Sequence, residues 1–111
     1  MIQRILLVDD DKNTCTALAQ ILREEGYTVD TCAEGQGALA LLSRAVYDVL
    51  VTDYMMPGMN GLELVRAAKA RQGRLCCVIM SGHPPTKGAT EQLTWLTKPV
   101  DLDQLIMLLE K

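Results

Sequence analysis

Six residues with charged or reactive side chains stand where apolar runs of this chain stop. Asp9, Asp10 and Asp11 follow "RILLV", Asp53 follows "VLVT", Ser81 follows "CCVIM" and Lys98 follows "TWLT". Taken singly, an acid after a strand is an ordinary turn or helix cap, and a serine or lysine there an ordinary solvated side chain. Gathered in one place, carboxylates, a hydroxyl and an ammonium have a more definite chemistry. Two like unit charges about 4 Å apart repel by about 4 kcal/mol at an effective dielectric of about 20, so clustered acids must hold a cation or protons. Oxygen ligands that leave room for water and phosphate suit Mg²⁺, or Mn²⁺. Beside such an ion, a carboxylate with a free oxygen can accept a phosphoryl group in line. Asp53 would be that nucleophile, with Lys98 pairing one phosphoryl oxygen and Ser81 donating to another. The product would be an aspartyl phosphate.

The elements that must bring these residues together are legible as strand-length apolar runs: "RILLVD" (4–9), "YTVDTC" (27–32), "DVLVTD" (48–53), "LCCVIMS" (75–81) and "LTWLTK" (93–98). Four of the five lack clean alternation, which is what a parallel sheet covered on both faces requires. Between them lie helical patterns. Thr14, Leu18, Ile21 and Leu22 precede Gly26, a glycine placed where a helix would stop. Asn60 with Glu63, and Asp101 with Gln104, have the spacing of capping boxes, and Leu102, Leu105, Ile106 and Leu109 give a core-facing stripe. Such alternation predicts an α/β fold: a flavodoxin-like, doubly wound, five-stranded parallel sheet of order 2-1-3-4-5. In that order ligands bind beyond the carboxyl ends of strands 1 and 3, so the polar residues converge on one rim.

A chain of 111 residues is expected to be one domain, residues 1–111. With 49% hydrophobic and 23% charged residues it should bury a core rather than stay disordered. The net charge of −3, with scattered lysines and arginines, offers no footprint for nucleic acid. Cys15, Cys32, Cys76 and Cys77 contain no C-x-x-C pair, and adjacent Cys76 and Cys77 would point to opposite faces of a strand. All four are expected to be reduced and buried. No signal peptide or membrane-length apolar run is present, so no membrane contact and a cytoplasmic location are expected.

In "LLVDDD", "VTDYMMPGMNG", "IMSG" and "WLTKP", in that order, the chain resembles the receiver domain of bacterial two-component response regulators over nearly its whole length. The resemblance implies that Asp9 and Asp10 form an acidic pocket and that Asp53 accepts phosphate from a histidine kinase or histidine phosphotransfer protein, to lose it later by hydrolysis. It further implies that the backbone carbonyl of Met55 completes a metal shell and that Ser81 is a switch hydroxyl. Trp95 would be the aromatic that turns inward on activation, and the Lys98–Pro99 bond would be cis. Met55, Met56 and Pro57 would shape the pocket wall, with Gly58 and Gly61 permitting the turn into the next helix.

Two departures stand out against that family. Only the 13 residues 82–94 separate Ser81 from Trp95, and they include Pro84 and Pro85, so the fourth helix should be shortened or missing. Met55 and His83 occupy positions that tune water access in the family, where an apolar Met55 would slow hydrolysis and His83 would either orient water or stand by. Met107 and Leu108 lie off the core stripe of the last helix, as a partner surface or simply a wide apolar face. An effector domain or protein would be contacted through Trp95 and that helix. The chain is read either as a stand-alone receiver or as a piece of a longer protein such as a hybrid histidine kinase. Two rival readings are a receiver-like docking module that works without phosphorylation, and a small haloacid dehalogenase-type phosphohydrolase signed by Asp9-x-Asp11. Against the latter, Asn13 stands where that motif wants Thr or Val.

Overall fold

A computed structural model describes residues 4–82 and 93–110. Strands β1 (Arg4–Val8), β2 (Thr28–Cys32), β3 (Val49–Asp53), β4 (Cys76–Ser81) and β5 (Thr94–Thr97) form one parallel sheet of order β2-β1-β3-β4-β5. Among the described residues four helices connect or follow them: α1 (Lys12–Glu24), α2 (Gly35–Leu42), α3 (Gly61–Arg71) and α4 (Leu102–Leu109). The expected topology is therefore present, with each strand within a residue of its sequence-derived bounds. The shortened or missing fourth helix, together with His83, Pro84 and Pro85, falls in residues 83–92, outside the described residues.

Strand parity divides the core. Ile5, Leu7, Val49, Val51, Val78 and Met80 face α1 and α4, meeting Leu18, Leu22, Leu105 and Leu109. Leu6, Val8, Leu50 and Ile79 face the other way, against Leu39, Leu42, Leu64 and Val65 of α2 and α3. Because both faces are covered, β3 is buried at every residue, whereas the edge strands β2 and β5 mix exposed or half-buried positions with buried ones and β4 is exposed at its first residue alone. Burying a leucine such as Leu6, Leu7 or Leu50 completely stabilises the fold by roughly 1.5–3 kcal/mol. The strand ends that carry the polar residues are thus anchored by the best-packed part of the molecule.

Helix ends match the sequence signals closely. Asp11 caps α1 by accepting from the amides of Asn13 and Thr14, and Gly26 closes that helix at φ 99°. Asn60 and Glu63 form both arms of a capping box at α3, while Asp101 caps α4 through the amides of Asp103 and Gln104. The cysteine expectation needs correction. All four thiols are free, but Cys76 is exposed and Cys32 half-buried, because β2 is an edge strand and Cys76 opens β4 with its side chain opposite to the buried Cys77. No described helix is long and apolar enough to cross a membrane.

The loop between β3 and α3 doubles back sharply on Asp53. Gly58 adopts φ 78°, and the Gly61 amide donates to the Tyr54 carbonyl at 2.8 Å. A Cβ on Gly61 would lie 2.5 Å from the Asp53 carbonyl oxygen and 2.9 Å from the Tyr54 Cα, both backbone atoms with no rotamer to swing away. Gly61→Ala is expected to destabilise the chain by about 1–3 kcal/mol through that overlap, read as a lower urea midpoint; an unchanged midpoint would mean the loop yields without cost.

Candidate functional site

Strand register sets the rim level. Val8 pairs with Thr52 and Cys32, Asp53 with Met80, and Ser81 with Thr97, so β1, β3, β4 and β5 deliver their last residues side by side. Asp9 sits just beyond β1, its amide bound to the Cys32 carbonyl at 3.0 Å. Asp53 is the last residue of β3, tied down by the Thr52 hydroxyl, which donates to the Asp53 carbonyl at 3.0 Å, and by the Tyr54 amide, which donates to Met80 at 2.8 Å. Ser81 ends β4 and is buried; its carbonyl accepts from the Lys98 amide at 2.8 Å. The Lys98–Pro99 bond is cis.

These anchors bring the side chains together. Carboxylate oxygens of Asp9, Asp10 and Asp53 lie within 4.8 Å of one another. Lys98 Nζ is 3.0 Å from Asp53 Oδ1 and 3.8 Å from Asp9 Oδ2. Asp9 and Asp53 are buried at 1% and 7% exposure, whereas Asp10 is open to solvent. The two oxygens of Asp9 differ sharply. Oδ1 accepts the Asp11 amide at 2.9 Å, but Oδ2 is buried and accepts no hydrogen bond.

Charge balance follows from this count of three carboxylates against one ammonium. Burial pushes the Asp9 carboxyl above its ordinary 3.8; the Asp11 amide and Lys98 oppose the rise, and Asp53 and Asp10 add to it. For Lys98, burial works to lower the value, but the hydrogen bond to Asp53 and the charges of Asp9, Asp53 and Asp10 outweigh it and the net shift is upward. The lysine is firmly charged and still insufficient. A buried oxygen with no donor, in a hard-oxygen cluster carrying excess negative charge, is what a divalent cation would satisfy, so the residues fit the acidic pocket that the resemblance implies.

Asp11 is not part of that cluster. Its carboxylate is exposed and accepts from the amides of Asn13 and Thr14, and those bonds, Thr14's first, hold it below the usual carboxylate range. A phosphohydrolase of the Asp9-x-Asp11 type would need the second acid turned into the pocket, and here it is spent on the helix. The Met55 side chain points out at 66% exposure, and Met56 Sδ lies 3.9 Å from the Thr52 hydroxyl. Met107 is exposed at 65%, while Leu108 packs against the core edge, so the two off-stripe residues of α4 have different roles.

Two features escaped the sequence reading. Tyr54, directly after Asp53, meets Trp95 with ring centroids 5.6 Å apart at 46°, and both are half-buried on the α2–α3 face. An aromatic next to the last strand residue was the available signal. A cavity of about 520 Å³ opens between α1 and the Lys98–Pro99 segment, lined by Asp11, Thr14, Leu18 and Ile21 on one side and Pro99 and Val100 on the other. No linear pattern announces a groove between two elements.

The family model described as "Response regulator receiver domain" matches residues 5–110. The chain belongs to the response regulator receiver domains. It is 37% identical over 111 residues to the transcriptional regulatory protein TcrA of Mycobacterium tuberculosis, covering 92% of this chain and 42% of TcrA. This receiver thus spans under half the length of that curated relative. In three dimensions it is similar to the receiver domain of the hybrid histidine kinase CckA, with TM-score 0.84 and 30% identity over 96% of this chain and 95% of that one. It is also similar to the response regulator TrrA of Thermotoga maritima in complex with Mg²⁺–BeF, with TM-score 0.87 and 26% identity over 98% and 97% of the two chains. Receiver domains act in phosphorylation-based two-component signalling, and this chain has their fold.

A stability test follows from Asp9. Its folded carboxyl titrates above its unfolded value, so the stability linked to its protonation is fully present below about pH 3.8 and is lost as pH rises through the higher folded value. In metal-free buffer at pH 7, Asp9→Asn is expected to be more stable than the native receiver by about 1–2 kcal/mol, with the gap closing as pH falls toward 4; calorimetric melting against pH reads it, and a less stable variant at pH 7 would contradict the electrostatic account.

Proposed function

We propose that Asp53 is the phosphoacceptor of this receiver and that the chain takes its phosphoryl group from the phosphohistidine of a histidine kinase or histidine phosphotransfer protein. The observation that carries the reading is Lys98 Nζ at 3.0 Å from Asp53 Oδ1 beside the donorless Oδ2 of Asp9. A divalent ion, Mg²⁺ or Mn²⁺, held by Asp9, Asp10, Asp53 and the Met55 carbonyl, would neutralise charge on the transferring group when bound. The similarity to TrrA, solved with Mg²⁺–BeF, supports Mg²⁺ as that ion.

An Asp53 carboxylate oxygen attacks phosphorus in line, the P–N bond to imidazole breaks with its electron pair, and the imidazole takes up a proton. Lys98 pairs with a phosphoryl oxygen and holds it against the added negative charge. Ser81, buried at the end of β4, donates its hydroxyl to another oxygen, which draws that strand end toward Asp53. Water later attacks the phosphorus of the acyl phosphate, the P–O bond to Asp53 breaks with its electron pair on the carboxylate, and inorganic phosphate leaves. Trp95 reads out the change, since its ring meets that of Tyr54 in a tilted contact, one residue from the acceptor. An effector domain or protein would then be contacted through Trp95 and α4, where Met107 is exposed. Residues 1–111 are read as one cytoplasmic receiver domain.

Incubation with a small acyl-phosphate donor and Mg²⁺, followed by intact-mass measurement, should add one phosphoryl group that Asp53→Asn and chelation each abolish. A chain that stays unmodified while still binding a partner would instead be a docking module that works without phosphorylation. Trp95 is the single tryptophan of the chain, so its emission should shift on phosphorylation, and Tyr54→Ala should reduce that shift; an identical spectrum in both states would remove Trp95 from the readout.

A further inference from the structure

Three consecutive aspartates leave β1, and their side chains do three different things. Asp9 is buried with one oxygen lacking any hydrogen-bond donor, Asp10 is exposed at the cluster's edge, and Asp11 caps a helix. The Asp9 carboxylate is oriented by one short contact, the Asp11 amide on Oδ1 at 2.9 Å. Without it, rotation about the last torsion of an aspartate is soft, and the carboxylate plane would turn so that neither oxygen is held toward the cluster. That amide is itself held. The Asp11 backbone is extended at φ −82° and ψ 103°, the conformation of a capping residue, and its Oδ1 accepts from Asn13 at 3.1 Å and Thr14 at 3.3 Å.

We propose that Asp11 is a positioning residue for divalent-ion binding: its side-chain cap on α1 fixes its own N–H against Asp9 Oδ1 and thereby aims Asp9 Oδ2 into the acidic cluster. The proposal rests on the ion-binding reading of Asp9, Asp10 and Asp53. Its force lies in the capping geometry rather than the charge, because the Asp11 carboxylate is outside the group of oxygens that lie within 4.8 Å of one another. Coupling of this kind is reciprocal. An ion that holds Asp9 in one orientation strengthens the Asp11 amide contact, and so tightens the first turn of α1 from the far side.

The test compares Mg²⁺ titrations by calorimetry for the native chain, Asp11→Ala, Asp11→Asn and Asp101→Ala, with the urea midpoint of each recorded. Asp11→Ala should weaken Mg²⁺ binding on the order of tenfold, the scale of losses when a group supporting a metal ligand is removed. Asp11→Asn keeps a cap of equal quality while deleting the charge, and should stay within about twofold of native. Asp101→Ala removes the corresponding side-chain cap from α4, a helix that contributes no carboxylate to the cluster, and should lower the urea midpoint without changing Mg²⁺ affinity. Hydrogen exchange at the Asn13 and Thr14 amides should slow when Mg²⁺ is added to the native chain. Unchanged affinity in Asp11→Ala overturns the proposal, as does Asp11→Asn binding as weakly as Asp11→Ala, which would assign the effect to charge. Equal weakening in Asp101→Ala would assign it to global stability and overturns it too. A native chain that binds no Mg²⁺ would instead remove the ion-binding reading on which the proposal stands.

Discussion

Three carboxylates pressed together on one rim of the sheet, with a single ammonium among them, set the terms for everything around the site. At an effective dielectric of about 20, each like pair about 4 Å apart costs about 4 kcal/mol, comparable to a large part of the net stability of a small domain. Lys98 relieves part of this through its contacts with Asp53 and Asp9. Burial of Asp9 then sharpens what remains, because its Oδ2 is shielded from solvent and has no hydrogen-bond donor, with only the more distant Lys98 charge at 3.8 Å to offset it. The fold tolerates the arrangement because the strands beneath are buried on both faces and their backbones are tied in register, so the acids cannot drift apart.

That tolerance explains the distribution of local devices. The Asp53 backbone is held from three sides, by Thr52, by the Met80 carbonyl acting through Tyr54, and by the close approach of Gly61. Lys98 is tied to the Ser81 carbonyl, so two elements of the site share one backbone contact. Asp9 is held at both ends, by Cys32 through its amide and by Asp11 through Oδ1. Each restraint comes from main chain or from a short side chain, which gives a site that keeps its geometry before any ligand arrives. Tyr54, next along the chain, meets Trp95 in a tilted ring contact on the α2–α3 face.

Most of this was written plainly in the residues. Near-continuous apolar runs point to a two-sided parallel sheet, and the switch-point rule then puts Asp9, Asp10, Asp11, Asp53, Ser81 and Lys98 on one rim. The capping signals at Asn60 and Asp101 were equally direct, because capping is a local interaction that spacing alone can encode. What escaped was the direction of side chains off the regular elements. Asp11 belonged to the same acidic run as Asp9, and only the path of the first turn of α1 reveals that it faces the helix. Cys32 and Cys76 read as core residues by type, but the edge position of one and the strand-opening position of the other leave them partly or wholly exposed. The Tyr54–Trp95 contact and the groove beside α1 depend on how separate elements pack, which no short stretch of sequence carries.

The proposed function depends on one physical point, that a divalent cation would complete the acidic rim where Lys98 alone does not. Anomalous diffraction from crystals of the native chain grown with Mn²⁺ addresses it directly. The expected result is one strong peak within the cluster formed by the carboxylates of Asp9, Asp10 and Asp53. A map with no peak at that rim, in crystals where the site is open to solvent, would contradict it.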